Sequence, residues 1–229
     1  MNHFFIGLLA ITVTIVVFFF SKWLNKKFPS PFTLPVLIST LIVMFGLLLF
    51  HISYETYNIG GQWIDRFLGP AVVALAYPLY KQRQMMKNYL IPILVGVFIG
   101  SVIGVTSGLM MGKWFHIKRE IILSLLPKSV TTPVAMDIAN TLDGSTSLAA
   151  VLVMFAGIGG AVIGPTLFKW LKIDHDLARG LGIGSASHAI GTAKIMEESE
   201  NAGAASTLAM ILSAVIVSII TPLIVIWFM

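Results

Sequence analysis

Cysteine is absent from this 229-residue chain, and charged residues make up only 11% of it. Without cysteine there is no disulfide, no thiolate metal ligand and no thiol nucleophile. Its absence says little about the redox compartment, because a chain buried in a bilayer needs no disulfide. Soluble domains carry about 25% charged residues, so this composition excludes a soluble fold with a polar coat. Acidic residues are the scarcer sign of charge, 10 against 15 lysines and arginines, for a net charge of +5. The cations cluster in short connections such as Lys22, Lys26, Lys27 and Lys81, Arg83, Lys87. That is a positive-inside pattern rather than a basic binding face, and nucleic acid is not an expected partner. The chain has no glycine-rich phosphate loop ending in Lys-Ser/Thr and no His-Glu-x-x-His zinc pattern. Ser187 and His188 are neighbours in sequence and do not face one another on a helix. We therefore expect no enzyme, catalytic residue, metal site or cofactor.

What is abundant is apolar sequence: 57% of the residues are hydrophobic, and the mean hydropathy is +0.91. A spanning helix needs about 20 such residues. Residues 4–21, 33–51, 64–80, 89–111, 147–170 and 205–228 qualify as six clear spans. The first has no basic segment before it and no small-residue cleavage site after it, so it reads as a helix rather than a signal peptide. Tyr54, Tyr57, Trp63, Trp114, Trp170 and Trp227 sit near the ends of runs, as interfacial aromatics do. Gly96, Gly100, Gly104 and Gly108 recur every four residues, which reads as a helix-packing seam in preference to a substrate groove.

Two further segments, 121–142 and 177–199, are apolar at their edges and polar in the middle. The first holds Pro127, Lys128, Ser129, Val130, Thr131, Thr132 and Pro133; the second runs from Gly184 through Ser185, Ser187, His188, Gly191 and Thr192 to Lys194. In hydrocarbon, a broken helix and a buried charge are tolerated only where protein or a water-filled cavity satisfies them. After each segment a long apolar helix opens on similar residues: Thr146-Ser147-Leu148-Ala149, then Ser206-Thr207-Leu208-Ala209. Pro165 and Pro222 also correspond, giving an internal repeat with a period of about sixty residues.

The expected fold is thus an all-α polytopic membrane protein with six spans plus two broken or re-entrant segments. It is expected to form one membrane domain over 1–229, with four N-terminal spans in 1–112 and repeat units at 113–170 and 171–229. If the polar segments are re-entrant hairpins the repeat is inverted; if both cross fully it is parallel. Loop charge puts the basic connections in the cytoplasm and the near-neutral loop 53–65 outside.

Paired interruptions in two repeats point to a transporter's binding site. Lys128, with the hydroxyls of Ser129, Thr131 and Thr132 and a helix restarting near Pro133, suits a carboxylate. Ser185, Ser187, His188, Gly191 and Thr192 are expected to face it from the second unit, and an imidazole can also relay a proton, its reference pKa lying near 6.5. Asp137, Asn140 and Lys194 are candidate coupling or charge partners. Alternatively Lys128 snorkels to an interface, His188 is a packing residue, and Asp143 caps a helix.

The two polar motifs together resemble the LrgB/CidB family of bacterial membrane proteins, over nearly the whole chain. The resemblance implies multi-pass residence in the bacterial cytoplasmic membrane among lipids, with a small LrgA/CidA-type membrane partner and scope for a homo-oligomer. Family members are named for holin- or antiholin-like modulation of murein hydrolases and autolysis. Plastid relatives exchange glycolate and glycerate, and some bacterial members are implicated in pyruvate passage. The expected function is accordingly transport of a small monocarboxylate, with the antiholin-like modulator as the alternative.

Overall fold

The computed structural model describes residues 3–28, 33–67, 70, 73–74, 76–81 and 83–229. Every regular element among the described residues is helical. The chain forms two compact units, residues 1–76 and 77–229.

The first unit contains α1 (His3–Lys27), α2 (Pro35–Leu49) and α3 (Tyr54–Asp65). Pro35 opens α2, where its missing N–H costs nothing, and Ser53 caps α3 by accepting from Thr56 N. α1 packs against both other helices. Its contact with α3 is backbone on backbone: a methyl group added at Gly60 would lie 2.4 Å from Gly7 O. Thr14 Oγ1 and Tyr57 OH share a hydrogen bond of 2.7 Å beside that contact. Most of the phenylalanines and leucines of α1 and α2 face outward, as a helix surface in lipid requires.

The second unit contains α4 (Ala76–Lys81), α5 (Arg83–Asn88), α6 (Leu90–Trp114), α7 (Arg119–Leu125), α8 (Thr132–Thr141), α9 (Thr146–Trp170), α10 (Asp176–Glu198) and α11 (Glu200–Phe228). α11 packs against α6, α8 and α10. Its opening turns carry Ala202, Gly203, Ala204, Ala205 and Ser206, all buried. Small residues let α10 approach until backbones touch: a methyl at Gly180 would lie 2.4 Å from Ala202 O, and one at Gly184 2.2 Å from Ser206 O.

Among the described residues, four helices are long and apolar enough to cross a membrane: 4–27, 90–114, 146–170 and 200–228. The expected span at 33–51 is a helix of 15 residues, about 22 Å against a hydrocarbon core of about 30 Å. The expected span at 64–80 runs over residues 68, 69, 71, 72 and 75, which lie outside the described residues.

α10 is not one straight rod. Arg179, in its first turn, pairs with Glu198, in its last, across 19 residues. Asp176 Oδ2 accepts from Ser199 Oγ at 2.8 Å. A straight helix would separate residues 19 apart by about 28 Å. The chain therefore reverses within the element, at His188, whose φ of 40° and ψ of −135° interrupt the helix. Half-helices 176–187 and 189–198 lie side by side. A second reversal joins α7 to α8, where Ser145 N donates to Ser124 Oγ at 2.8 Å across 21 residues.

Both reversals rest on the same face of α6. From its C-terminal end, methyl groups added at Gly112, Gly108 and Gly104 would lie 2.7 Å from Ile122 Cγ1, 3.0 Å from Lys128 Nζ and 3.4 Å from Ser129 Oγ. From its N-terminal end, the ring of Tyr89 meets that of His175 at 6.2 Å. Added methyls at Gly96 and Gly100 would then lie 3.4 Å from Leu181 Cδ1 and 3.5 Å from Ser185 Cβ. The two reversals approach the middle of α6 from opposite ends, Ser185 at Gly100 and Ser129 at Gly104.

Replacing Gly184 by Ala places a methyl against the backbone of α11, and overpacking of this kind costs about 1–3 kcal/mol. Gly184→Ala should lower the unfolding midpoint of the detergent-solubilised protein, whereas Gly46→Ala, with nothing within 4 Å, should not. Equal midpoints for the two variants would contradict the close α10–α11 contact.

Candidate functional site

Lys128, Ser129 and Ser185 lie along the middle of α6, and two apolar cores lie toward its ends. One core gathers Ile93, Val97, Leu177, Ala205 and Ala209 near the start of α6. The other gathers Val105, Leu109, Ile122, Leu126, Val130 and Val217 toward its end. Ser101 lies between them on α6, buried, its Oγ without a hydrogen-bond partner.

Lys128 stands in the turn between α7 and α8, and its Nζ donates to Gly104 O at 2.8 Å. Gly104 is ten residues from the nearer end of α6, about 15 Å of helix. The side chain thus points to mid-helix rather than snorkelling to an end. Ser129 is half-buried beside it. Thr131 is the N-cap of α8, makes no side-chain capping bond, and precedes Thr132 and Pro133 in the opening turn. These residues fall together because prolines 127 and 133 bracket the turn, the second as a first-turn residue whose missing N–H breaks no helical bond.

In α10 the structure separates the candidates by face. Ser185 borders Gly100 of α6 and donates to Leu181 O at 2.7 Å. Ser187 is fully buried against α9: a methyl at Gly160 would fall 1.6 Å from its Oγ, which has no hydrogen-bond partner. His188 Nε2 lies 2.9 Å from Val153 O, also on α9. Thr192 Oγ1 donates to His188 O at 2.7 Å and lies 2.8 Å from Ser206 Oγ on α11. Gly191 packs over Ser187, where an added methyl would lie 2.5 Å from Ser187 Cβ. Lys128, Ser129 and Ser185 therefore share the α6 face, while Ser187, His188 and Thr192 hold the second tip to α9 and α11. The conformation of His188 is one that glycine alone adopts freely, at a cost of about 1–3 kcal/mol.

Asp137 and Asn140 lie exposed on α8, and Lys194 pairs with Glu197 at 3.3 Å. Asp143 ends α8 with φ of 59°, a left-handed terminal position that aspartate tolerates. Among the described residues, no group of three or more His, Asp or Glu could hold a metal ion. Ser101 and the carbonyls of Gly104 and Val153 were not foreseen from the sequence. The four-residue glycine spacing was the available signal for the two on α6, and the carbonyl of Val153 left none.

The LrgB-like family model matches residues 14–227. YxaC of Bacillus subtilis (strain 168), named an uncharacterized protein, is 47% identical over 220 residues, covering 96% of each chain. The holin-like protein CidB of Staphylococcus aureus (strain Mu50 / ATCC 700699) is 37% identical over 228 residues, covering 100% of each chain. CidB of Staphylococcus epidermidis (strain ATCC 12228 / FDA PCI 1200), also named holin-like, is 35% identical over the same length. No solved structure matches the chain. The chain belongs to the LrgB-like family.

The absence of native cysteine makes the reversal in α10 directly testable. Arg179→Cys with Glu198→Cys should form a disulfide on mild oxidation, visible as a mobility shift. No shift, with both thiols still labelled under denaturation, would support a straight α10 instead.

Proposed function

We propose that this LrgB-like family member acts as a holin-like protein of the bacterial cytoplasmic membrane, the role carried in the names of its CidB relatives. Full-length similarity supports this reading, since it leaves no segment of the chain outside the likeness. Four helices of spanning length support residence in the membrane as a multi-pass protein. A holin-like role would be exercised by self-association or with a small LrgA/CidA-type membrane protein. The outward apolar faces of α1 and α2 suit helix partners or lipid equally.

A second reading is favoured by one observation: two chain reversals reach the middle of α6 from its opposite ends. With α6 spanning the bilayer, they become re-entrant hairpins inserted from opposite faces. Each is followed by a long helix, α9 after the first and α11 after the second. Hairpin plus helix, twice and in opposite directions, would make an inverted repeat of the units expected at 113–170 and 171–229. Carriers use such repeats to present one central site alternately to the two sides. A small monocarboxylate suits the cationic tip. Control of murein hydrolases would then follow from metabolite flux rather than from a lesion, with no catalytic step in this chain.

Proteoliposomes separate the two readings. Saturable uptake of labelled pyruvate or glycolate, with a co-trapped fluorescent dye retained, is the carrier's signature. Dye release dependent on protein density is that of a holin-like lesion. Dye release that rises with protein density is expected from the holin-like reading, and saturable uptake with the dye retained would overturn it in favour of the carrier.

A further inference from the structure

The first unit contains a cleft of about 470 Å³, floored by Thr14 of α1 and walled by residues of α2 between 39 and 48 and by Ile52, Tyr54 and Tyr57. That volume falls within the range of small-molecule sites, about 300–1,000 Å³. α1 packs against both α2 and α3, and the cleft lies between those two helices. Met44, Leu48 and Tyr54 on its rim are exposed, so it is open to whatever surrounds the unit.

The lining carries hydroxyls and no charged side chain. Thr14 Oγ1 donates to Ala10 O at 2.8 Å, and Ser39 Oγ to Pro35 O at 2.6 Å. With the Thr14 proton spent, the 2.7 Å bond between Thr14 and Tyr57 takes its proton from the phenol. Thr40 and Tyr54 make no side-chain hydrogen bond among the described residues. A helical threonine can turn its hydroxyl back to the carbonyl four residues earlier, here that of Val36. A phenol cannot reach its own backbone. Tyr54 is therefore the donor that needs an acceptor from outside.

Shape and chemistry narrow the occupant. Residues 39 and 48 are about 13.5 Å apart along α2. The cleft is thus about 35 Å² in mean section, under half of the roughly 80 Å² of a helix 10 Å across. A polypeptide helix does not fit, and its carbonyls are already bonded within it. A single hydrocarbon chain fits the apolar walls, and an ester at its end brings free acceptor oxygens. A lining without charge holds no ionic headgroup, which stays outside the cleft beyond Tyr54, in the first turn of α3.

We propose that the cleft holds one acyl chain of a diacyl glycerolipid, whose ester carbonyl accepts from the Tyr54 phenol. The chain fills the gap between α2 and α3 and serves as packing for the first unit. The site lies wholly within that unit and rests on neither reading of function.

The test is native mass spectrometry of the purified full chain, delipidated and then titrated with dioleoylphosphatidylglycerol or with its diether counterpart, which keeps the chains and lacks the carbonyls. One diester lipid per chain should bind more tightly than the rest. The diether should bind about tenfold more weakly, the loss of one hydrogen bond. Tyr54→Phe should lower diester affinity to the diether level and leave the diether unchanged. Val43→Trp, which fills the cleft, should abolish the tight site for both lipids. Dioleoylphosphatidylcholine should bind as the phosphatidylglycerol does. Equal affinity of diester and diether for the parent overturns the proposal, as does parental binding in Val43→Trp. Should Val43→Trp fail to fold, parental diester affinity in Tyr54→Phe overturns it. A tenfold preference for one headgroup overturns it too, by moving the deciding contact out of the cleft. A dimer that Val43→Trp dissociates, with lipid binding unchanged, gives the cleft to a second copy instead.

Discussion

The second unit depends on a stretch of helix surface with no side chains. Along α6, the absence of Cβ atoms from Gly96 to Gly112 lets two separate chain reversals lie close to its backbone. Close approach also gives Lys128 a carbonyl to bond at mid-helix. Polar groups at this depth are tolerable only where protein supplies partners, because lipid supplies none. Larger residues on this face would push both tips outward and leave lysine, serine and helix-end amides facing hydrocarbon. Packing and polarity are therefore one constraint: the seam is apolar by composition, yet it makes the polar centre affordable.

A second close contact supports the first. Gly180 and Gly184 bring α10 onto the backbone of α11, and Gly157 and Gly160 receive His188 and Ser187 on α9. The tip of the second hairpin is gripped on three sides, by α6, α9 and α11. That grip sustains an unfavourable backbone conformation at His188, which sits where glycine would be the unstrained choice. The imidazole is what makes a non-glycine residue worth keeping there, since its Nε2 lies within hydrogen-bond distance of Val153 O.

The helical architecture and its membrane character were legible in composition and run length, because hydrocarbon constrains both strongly. The polar interruptions were legible for the same reason: Lys128 between two prolines is conspicuous in apolar sequence. The seam was legible as spacing but not as a seat, since four glycines in register say that something approaches without naming it. Which face of α10 carries which hydroxyl was not legible. Ser185 and Ser187 differ by two positions, and the break at His188 decides where each points. The shortness of α2 was also hidden, because residues at the ends of an apolar run count toward its length whether or not they are helical. The family was legible from the two motifs together, and the match over residues 14–227 bears that out.

A ridgeless helix face has a mechanical consequence. Helices normally interlock, side chains of one filling hollows of the next, so sliding means unseating every knob. Against bare backbone there is little to unseat. Along the seam itself the contacts are those of Ser185, Ser129 and Lys128, whose Nζ is bonded to Gly104 O. Such a track resists movement along its axis less than movement across it, where the backbone of α6 blocks the way.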